Sequence, residues 1–286
     1  MTKLNLSTLF ALGLVILLLV ALIAPFTFLT IEKPAPVTPV AAPKVVKKAP
    51  KKVEQPLHNV RLPDFARIVD VKEKKRQFFA FMRPAINAEN NKIRAERARV
   101  EQLIAELTLE QPLTDEDQQF INGLLKKYKV SKKYSLLRQL YELELKVDVI
   151  PPALVLVQAA NESAWGTSRF ARIGLNFFGV WCYSKGCGMV PSGRNTGAKH
   201  EVAAYKSVAE GVARYFQNIN THHAYSVFRA IRRQLREQSQ PLAPEILATG
   251  LTAYSERGAE YVLELTEMIR HNRQYFKLDK PSAKSL

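Results

Sequence analysis

Gln158-Ala-Ala-Asn-Glu162-Ser-Ala-Trp165-Gly-Thr-Ser168 is the stretch whose reading decides the fold and the chemistry. It closes an apolar run, Ala153 to Glu162, opened by Pro151 and Pro152. Proline suits a first helical turn, because the N–H it lacks has no partner there. The pattern predicts a helix over 153–162 with Glu162 above Gln158, and Val155 and Leu154 further back on the same stripe. A carboxylate so placed is partly desolvated and sits at the negative end of the helix dipole. Both effects disfavour the charged form and raise its pKa. A carboxyl that stays protonated near neutral pH is what glycoside hydrolysis needs, because it must protonate the leaving oxygen. By position alone a glutamate at a helix end is more often solvated or ion-paired. Trp165 reads either as core or as a wall or stacking surface for a sugar.

Downstream, from Phe177 to Tyr205, Gly, Ser, Pro and aromatic residues are dense and no helical period survives, so a small loop-and-hairpin lobe is expected. Helix resumes at Ser207, where Ser207 and Glu210 form a capping-box pattern ahead of Val208, Val212, Phe216 and Ile219. Two further helices are expected at about 245–252 and 258–276. Upstream, residues 71–110 are charged and helical, broken at Pro84, with Ile86, Ile93, Val100 and Leu107 at seven-residue spacing and Leu103 and Ile104 between them. Thr114 caps a helix reaching about Tyr128, and another spans about 134–145. The fold class is therefore mainly α with a minor β excursion after one buried helix.

The formal net charge of +16 over 286 residues favours an anionic partner, whether nucleic acid, anionic lipid or an acidic polymer such as cell wall. No Gly-rich phosphate loop or aromatic–basic sheet motif supports nucleic acid. Part of the charge lies in a linker, residues 33–56, where Pro34, Pro36, Pro39, Pro43, Pro50 and Pro56 alternate with lysines. Such a stretch is extended and semi-rigid, reaching roughly 3 Å per residue. Before it, Leu9 to Phe26 is apolar apart from Gly13 and Pro25. That meets the roughly eighteen residues a membrane span requires. Ala21 and Ala24 offer a signal-cleavage pattern, but Pro25 beside the cut is unfavourable, so an uncleaved anchor in the inner membrane is preferred, with the folded part in the periplasm. The positive-inside rule gives that orientation little support, and the catalytic reading decides it. Cys182 and Cys187 are the only cysteines, a close pair that reads as a disulfide in an exported domain and as redox-active or metal-binding in the cytosol.

Glu162-Ser-Ala-Trp-Gly-Thr-Ser168, followed by Asn176-Phe-Phe-Gly179-Val, closely resembles the glucosaminidase family of bacterial wall hydrolases, of the glycoside hydrolase family 73 type. Its members carry E-S-x-x-G-x-S and then N-x-F-G at this spacing. The Pro-rich leader and Leu62-Pro-Asp-Phe resemble its Bax-type membrane-linked branch. The resemblance covers roughly residues 150–275, and the branch similarity reaches back to about 62. It implies a lysozyme-like fold of two lobes with a cleft, and cleavage of the β-1,4 bond between N-acetylglucosamine and N-acetylmuramic acid in peptidoglycan strands. The essential acid matches Glu162, while Asn176, Phe177 and Gly179 match the segment shaping the cleft floor. The family's C-terminal tyrosine best matches Tyr254, with Tyr225 a second aromatic match that reads more readily as core; Trp181 opens the small lobe beside the cysteines. Some members place a second glutamate in that lobe. Glu201 is the available candidate, but it falls several residues late. Without a base, the substrate's own N-acetyl group serves as nucleophile, or a single-acid lytic transglycosylase route ends in an anhydro sugar.

The expected organisation is an anchor or signal over 1–32, the linker over 33–56, a helical extension over 57–148 and the catalytic domain over 149–286. No cofactor is expected. A zinc amidase is the rival enzyme. Yet the adjacent His222 and His223 are poorly spaced as ligands, and no H-E-x-x-H occurs. A non-catalytic wall-binding protein is the rival of another class, and an intact Glu162 motif argues against it.

Overall fold

The computed structural model describes residues 13–19, 54–194, 197 and 199–276. The chain divides into two compact units at Val53/Glu54. In the first, residues 13–19 are helical and exposed. The expected anchor over Leu9–Phe26 and most of the linker lie outside the described residues, and no described helix is long and apolar enough to cross a membrane.

The second unit opens with α1, Val71–Thr108, capped by Asp70, whose carboxylate accepts from the Glu73 N–H at 2.6 Å. Its buried face runs Phe78, Phe79, Met82, Ile86, Ile93, Val100 and Leu103. The expected break at Pro84 does not occur. Pro84 and Ala80 are both exposed, so the carbonyl that loses its N–H donor lies on the wet side of the helix. Helix α2, Asp115–Lys127, carries a complete capping box between Thr114 and Asp117. Helix α3 spans Leu136–Lys146. Helix α4, Pro152–Glu162, is the apolar helix expected, and every residue from Leu154 to Ala160 is buried. A short α5, Arg169–Gly174, follows.

Three short strands come next: β1 Trp181–Cys182, β2 Gly188–Met189 and β3 Glu201–Ala203. They are antiparallel in the order β1-β3-β2, a three-stranded sheet where a hairpin was expected. Gly188 has to be glycine, because a Cβ there would stand 2.0 Å from the Val202 carbonyl oxygen. Cys182 and Cys187 form the disulfide. Cys182→Ser is expected to loosen this sheet, by about 2 kcal/mol for so short a loop, and to leave the helical core intact. Thermal unfolding with and without reductant checks it, and identical curves would refute it.

Helix α6, Val208–Thr221, starts at Ser207, whose Oγ accepts from the Glu210 N–H. The reciprocal half of the box differs: Glu210 Oε2 accepts from the Lys206 N–H at 2.8 Å. Helix α7, Ser226–Glu237, was not foreseen. Its arginines mask an apolar stripe of Phe228, Ile231 and Leu235, and two of them, Arg229 and Arg232, are themselves buried. Where one helix was expected at 245–252, α8, Pro244–Ala248, runs into a 3-10 segment, Thr249–Tyr254. The expected last helix divides into α9, Ala259–His271, and α10, Arg273–Phe276.

The core is one continuous cluster fed by α1, α4, α6 and α9 among others. The turn that launches α4 is pinned from three sides. Asn90 of α1 donates to the Ile150 carbonyl at 2.9 Å and accepts from the Ile150 N–H at 3.1 Å. Asn220 of α6 donates to the Asp148 carbonyl at 3.0 Å. Arg232 of α7 donates to the carbonyls of Asp148, Val149 and Leu145.

Candidate active site

Glu162 is the last residue of α4, and the residues after it explain the motif one by one. Ser163 is buried; its Oγ donates to the Ala159 carbonyl at 2.6 Å and accepts from the Gly166 N–H at 2.8 Å. That bracket folds back a loop in which Ala164, Trp165 and Gly166 all have positive φ, at 49°, 58° and 77°. Three successive left-handed residues are costly for side chains other than glycine and are held by the surrounding packing. At Gly166 a Cβ would lie 2.6 Å from the Phe65 ring. Ser168 then caps α5, its Oγ accepting from the Ala171 N–H at 3.1 Å.

The second motif folds against the first. Asn176 is buried, and its one amide makes four bonds. Its Oδ1 accepts from the N–H groups of Phe178 and Val180, and its Nδ2 donates to the carbonyls of Val180 and Ala203, both at 2.8 Å. This shapes a turn with Gly179 at φ 65°, where a Cβ would stand 3.6 Å from Glu162 Oε2. The acid and the glycine turn therefore face each other.

Glu162 is half-buried, and four tyrosines gather beside it. Tyr261 of α9 donates its hydroxyl to Glu162 Oε1 at 2.8 Å and accepts from Gln158 at 3.1 Å. Tyr215 donates to the other end of the Gln158 amide. Tyr254 stacks parallel on Tyr261, with ring centroids 5.6 Å apart, and donates to the Phe178 carbonyl at 2.7 Å. Tyr225 is buried against Tyr254. Burial pushes the Glu162 carboxyl up from its ordinary pKa, as expected. The Tyr261 hydroxyl and the Arg257 cation oppose that rise, and the Glu264 charge adds to it.

Other expected residues fall elsewhere. Phe177 is buried against Phe78 and Phe81, so it supports the turn from beneath and offers nothing to a ligand. Trp165 is partly buried and meets Phe78 and Phe79 in edge-to-face contacts, with the Lys75 ammonium 5.4 Å from its ring centroid. Trp181 is half-exposed and stacks on His200 at 4.0 Å. Glu201 is buried, and its oxygens accept from the N–H groups of Gly186 at 3.0 Å and Gly188 at 2.9 Å. Those bonds hold its carboxyl below the usual range. It clamps the disulfide loop; this is where a second catalytic acid was sought, and its carboxylate is committed. Glu201 also forms, with Cys182 and Cys187, the one cluster of possible metal ligands among the described residues, but sulfurs joined in a disulfide are not thiolates.

Tyr261 was missed in the sequence. Its signal was there: with Leu265 and Ile269 it lies on the buried stripe of α9, where a hydroxyl needs a partner. Removing it with Tyr261→Phe deletes a bond to the charged carboxylate. The Glu162 pKa then rises further, the alkaline limb of activity moves to higher pH, and turnover falls by about tenfold, the size of one charge-assisted bond. A pH–rate profile checks this, and an unmoved limb would exclude direct coupling.

A family model described as Mannosyl-glycoprotein endo-beta-N-acetylglucosaminidase matches residues 138–274. "Protein bax" of Escherichia coli (strain K12) is 31% identical over 214 residues, covering 74% of this chain and 75% of that protein. This chain belongs to the glucosaminidase family. It is of the Bax type within it, and no solved structure matches it. A glucosaminidase domain makes it a glycosidase-type enzyme. The family match begins inside α3, so α1, which supplies Phe78 and Asn90 to the site's support, lies ahead of it.

Proposed function

We propose that this glucosaminidase hydrolyses peptidoglycan strands at the β-1,4 bond between N-acetylglucosamine and N-acetylmuramic acid, with Glu162 as the general acid. One observation carries the reading: a half-buried carboxyl, its pKa raised by burial and its oxygen bonded by the Tyr261 hydroxyl, faces the Gly179 turn. Protonated Glu162 delivers its proton to the glycosidic oxygen as the C1–O bond breaks, and the resulting carboxylate takes a proton from the incoming water. Tyr261 stabilises that carboxylate while it is charged. The cleft in this reading is lysozyme-like, between the helical body and the small sheet. The apolar Leu9–Phe26 run supports a domain held at the inner membrane, and a peptidoglycan substrate puts that domain on the periplasmic side.

The committed carboxylate of Glu201 favours a single-acid variant of the chemistry. The acetamido oxygen of the sugar then attacks C1, and water opens the cyclic product. Incubating the full chain with purified peptidoglycan and identifying the new ends by mass spectrometry tests the proposal. Reducing N-acetylglucosamine ends are expected. Anhydromuramic ends would replace hydrolysis by transglycosylation, and free stem peptides would overturn the assignment in favour of an amidase.

A further inference from the structure

Around α4 from Glu162 lies a second opening, a groove of about 410 Å³. Lys75 of α1, Asn161 of α4 with Trp165 just after that helix, and Glu264 and His271 of α9 with Asn272 just after it line the groove. Its two long walls are the elements that hold the acid. Asn161 precedes Glu162, and Glu264 stands one turn beyond Tyr261.

The lining is unlike a sugar platform. The ring of Trp165 is occupied by Phe78, Phe79 and the Lys75 ammonium. What it offers instead is separated charge and amide chemistry. Lys75 has no carboxylate partner among the described residues, its ammonium resting only on the indole. Glu264 receives Arg257 at 2.5 Å and Asn161 at 3.4 Å, both on Oε2. Asn272, also on the lining, is buried, and its Nδ2 donates to the Met268 carbonyl at 2.7 Å. A cation without a carboxylate partner, on α1, and a carboxylate bonded through only one of its oxygens, on α9, match a short peptide bearing carboxylate and ammonium groups. They do not match a neutral pyranose.

We propose that this groove is a subsite for the stem peptide attached to the glycan strand, with Lys75 taking a peptide carboxylate and Glu264 a cationic side chain. The inference rests on peptidoglycan being the substrate. A strand held with its scissile bond at Glu162 would extend its peptide around the end of α4 into the groove.

The test compares kcat/KM of the full chain on intact strands and on strands stripped of their stems by an amidase. Wild type is expected to favour stem-bearing strands about tenfold, the worth of one charge-assisted hydrogen bond. Lys75→Glu should bring that ratio to about one through KM, and Lys75→Arg should retain it. Equal rates on both strands by wild type, or equal losses on both by Lys75→Glu, would overturn the subsite. Cleavage of neither strand by wild type would instead overturn the hydrolase reading. In that case NMR titration with a synthetic stem peptide decides the groove. Binding by wild type and not by Lys75→Glu supports it, and no binding by wild type rejects it.

Discussion

Glu162→Gln leaves the protein folded and lowers glycan cleavage by about 10³-fold, within the range lost with a general acid. The amide keeps the shape of the side chain and can still accept from Tyr261, but it has no proton to give. The pH dependence follows from the same burial. Only protonated Glu162 is active in this step, so kcat/KM falls as pH rises through its pKa. Because burial raises that pKa, the fall lies above the range of an ordinary glutamate, about 4.3. Stability carries the same sign. A carboxyl with a raised folded pKa favours the folded state at low pH, and that contribution is lost as pH rises through the folded value. Glu162→Gln is therefore expected to melt higher than wild type at pH 8 and alike at pH 4. Full activity in the variant would remove Glu162 from the mechanism. An inactive variant with an unchanged pH dependence of melting would show that its carboxyl is not the group perturbed by burial.

Asp148→Asn is expected to destabilise the protein by about 3–5 kcal/mol, the usual cost of stranding a buried charge. Asp148 is buried at the turn that launches α4, ringed by Arg97, Arg232 and Arg236 at 3.6, 3.5 and 2.7 Å. The Arg232 side chain is 1% exposed. It is already bonded to two backbone carbonyls of that turn and to the Leu145 carbonyl at the end of α3, so it cannot leave with its charge. Three cations around one buried carboxylate hold its pKa below the usual range against the opposing effect of burial. A depressed folded pKa gives stability that is present above the unfolded value and lost on acidification through the folded one. In thermal unfolding at pH 7 the variant should melt roughly 10 °C lower, and the gap to wild type should close as the pH falls below about 4. Arg236→Gln is the control: its side chain is 41% exposed, and its loss should cost under about 1 kcal/mol. A melting point within 2 °C of wild type for Asp148→Asn would mean that hydrogen bonds alone hold the turn.

Much of the active site was legible because it is local. Glu162 sits at a helix end, and Ser163, Gly166 and Ser168 act through bonds that span at most a few residues, such as the Ser163 bracket and the Ser168 cap. Asn176 and Gly179 form a turn of the same short range. The assignments that shifted depended on distant partners. Trp165 sits three residues past the acid, yet its surroundings are set by Phe78 and Phe79 of α1, almost ninety positions back. Glu201 has the right chemistry for a base, but the fold places the disulfide loop's N–H groups on its oxygens. Helix α7 was hidden because arginines read as solvent-facing until Arg232 is seen turned inward to cap the carbonyls ahead of α4.

The sequence by itself determined the helical body, a glutamate at the end of its apolar helix and the direction of that carboxyl's pKa, while the acid role and the Gly179 segment came with the family resemblance. The first three follow from periodicity, a cap or a helix end, and these are fixed by neighbours along the chain. The tertiary structure alone decided which groups tune the acid. Tyr261 and Arg257 reach Glu162 from about ninety-five to a hundred residues away. A side-chain hydrogen bond across that distance leaves no periodic trace; it exists only once α4 and α9 have packed together.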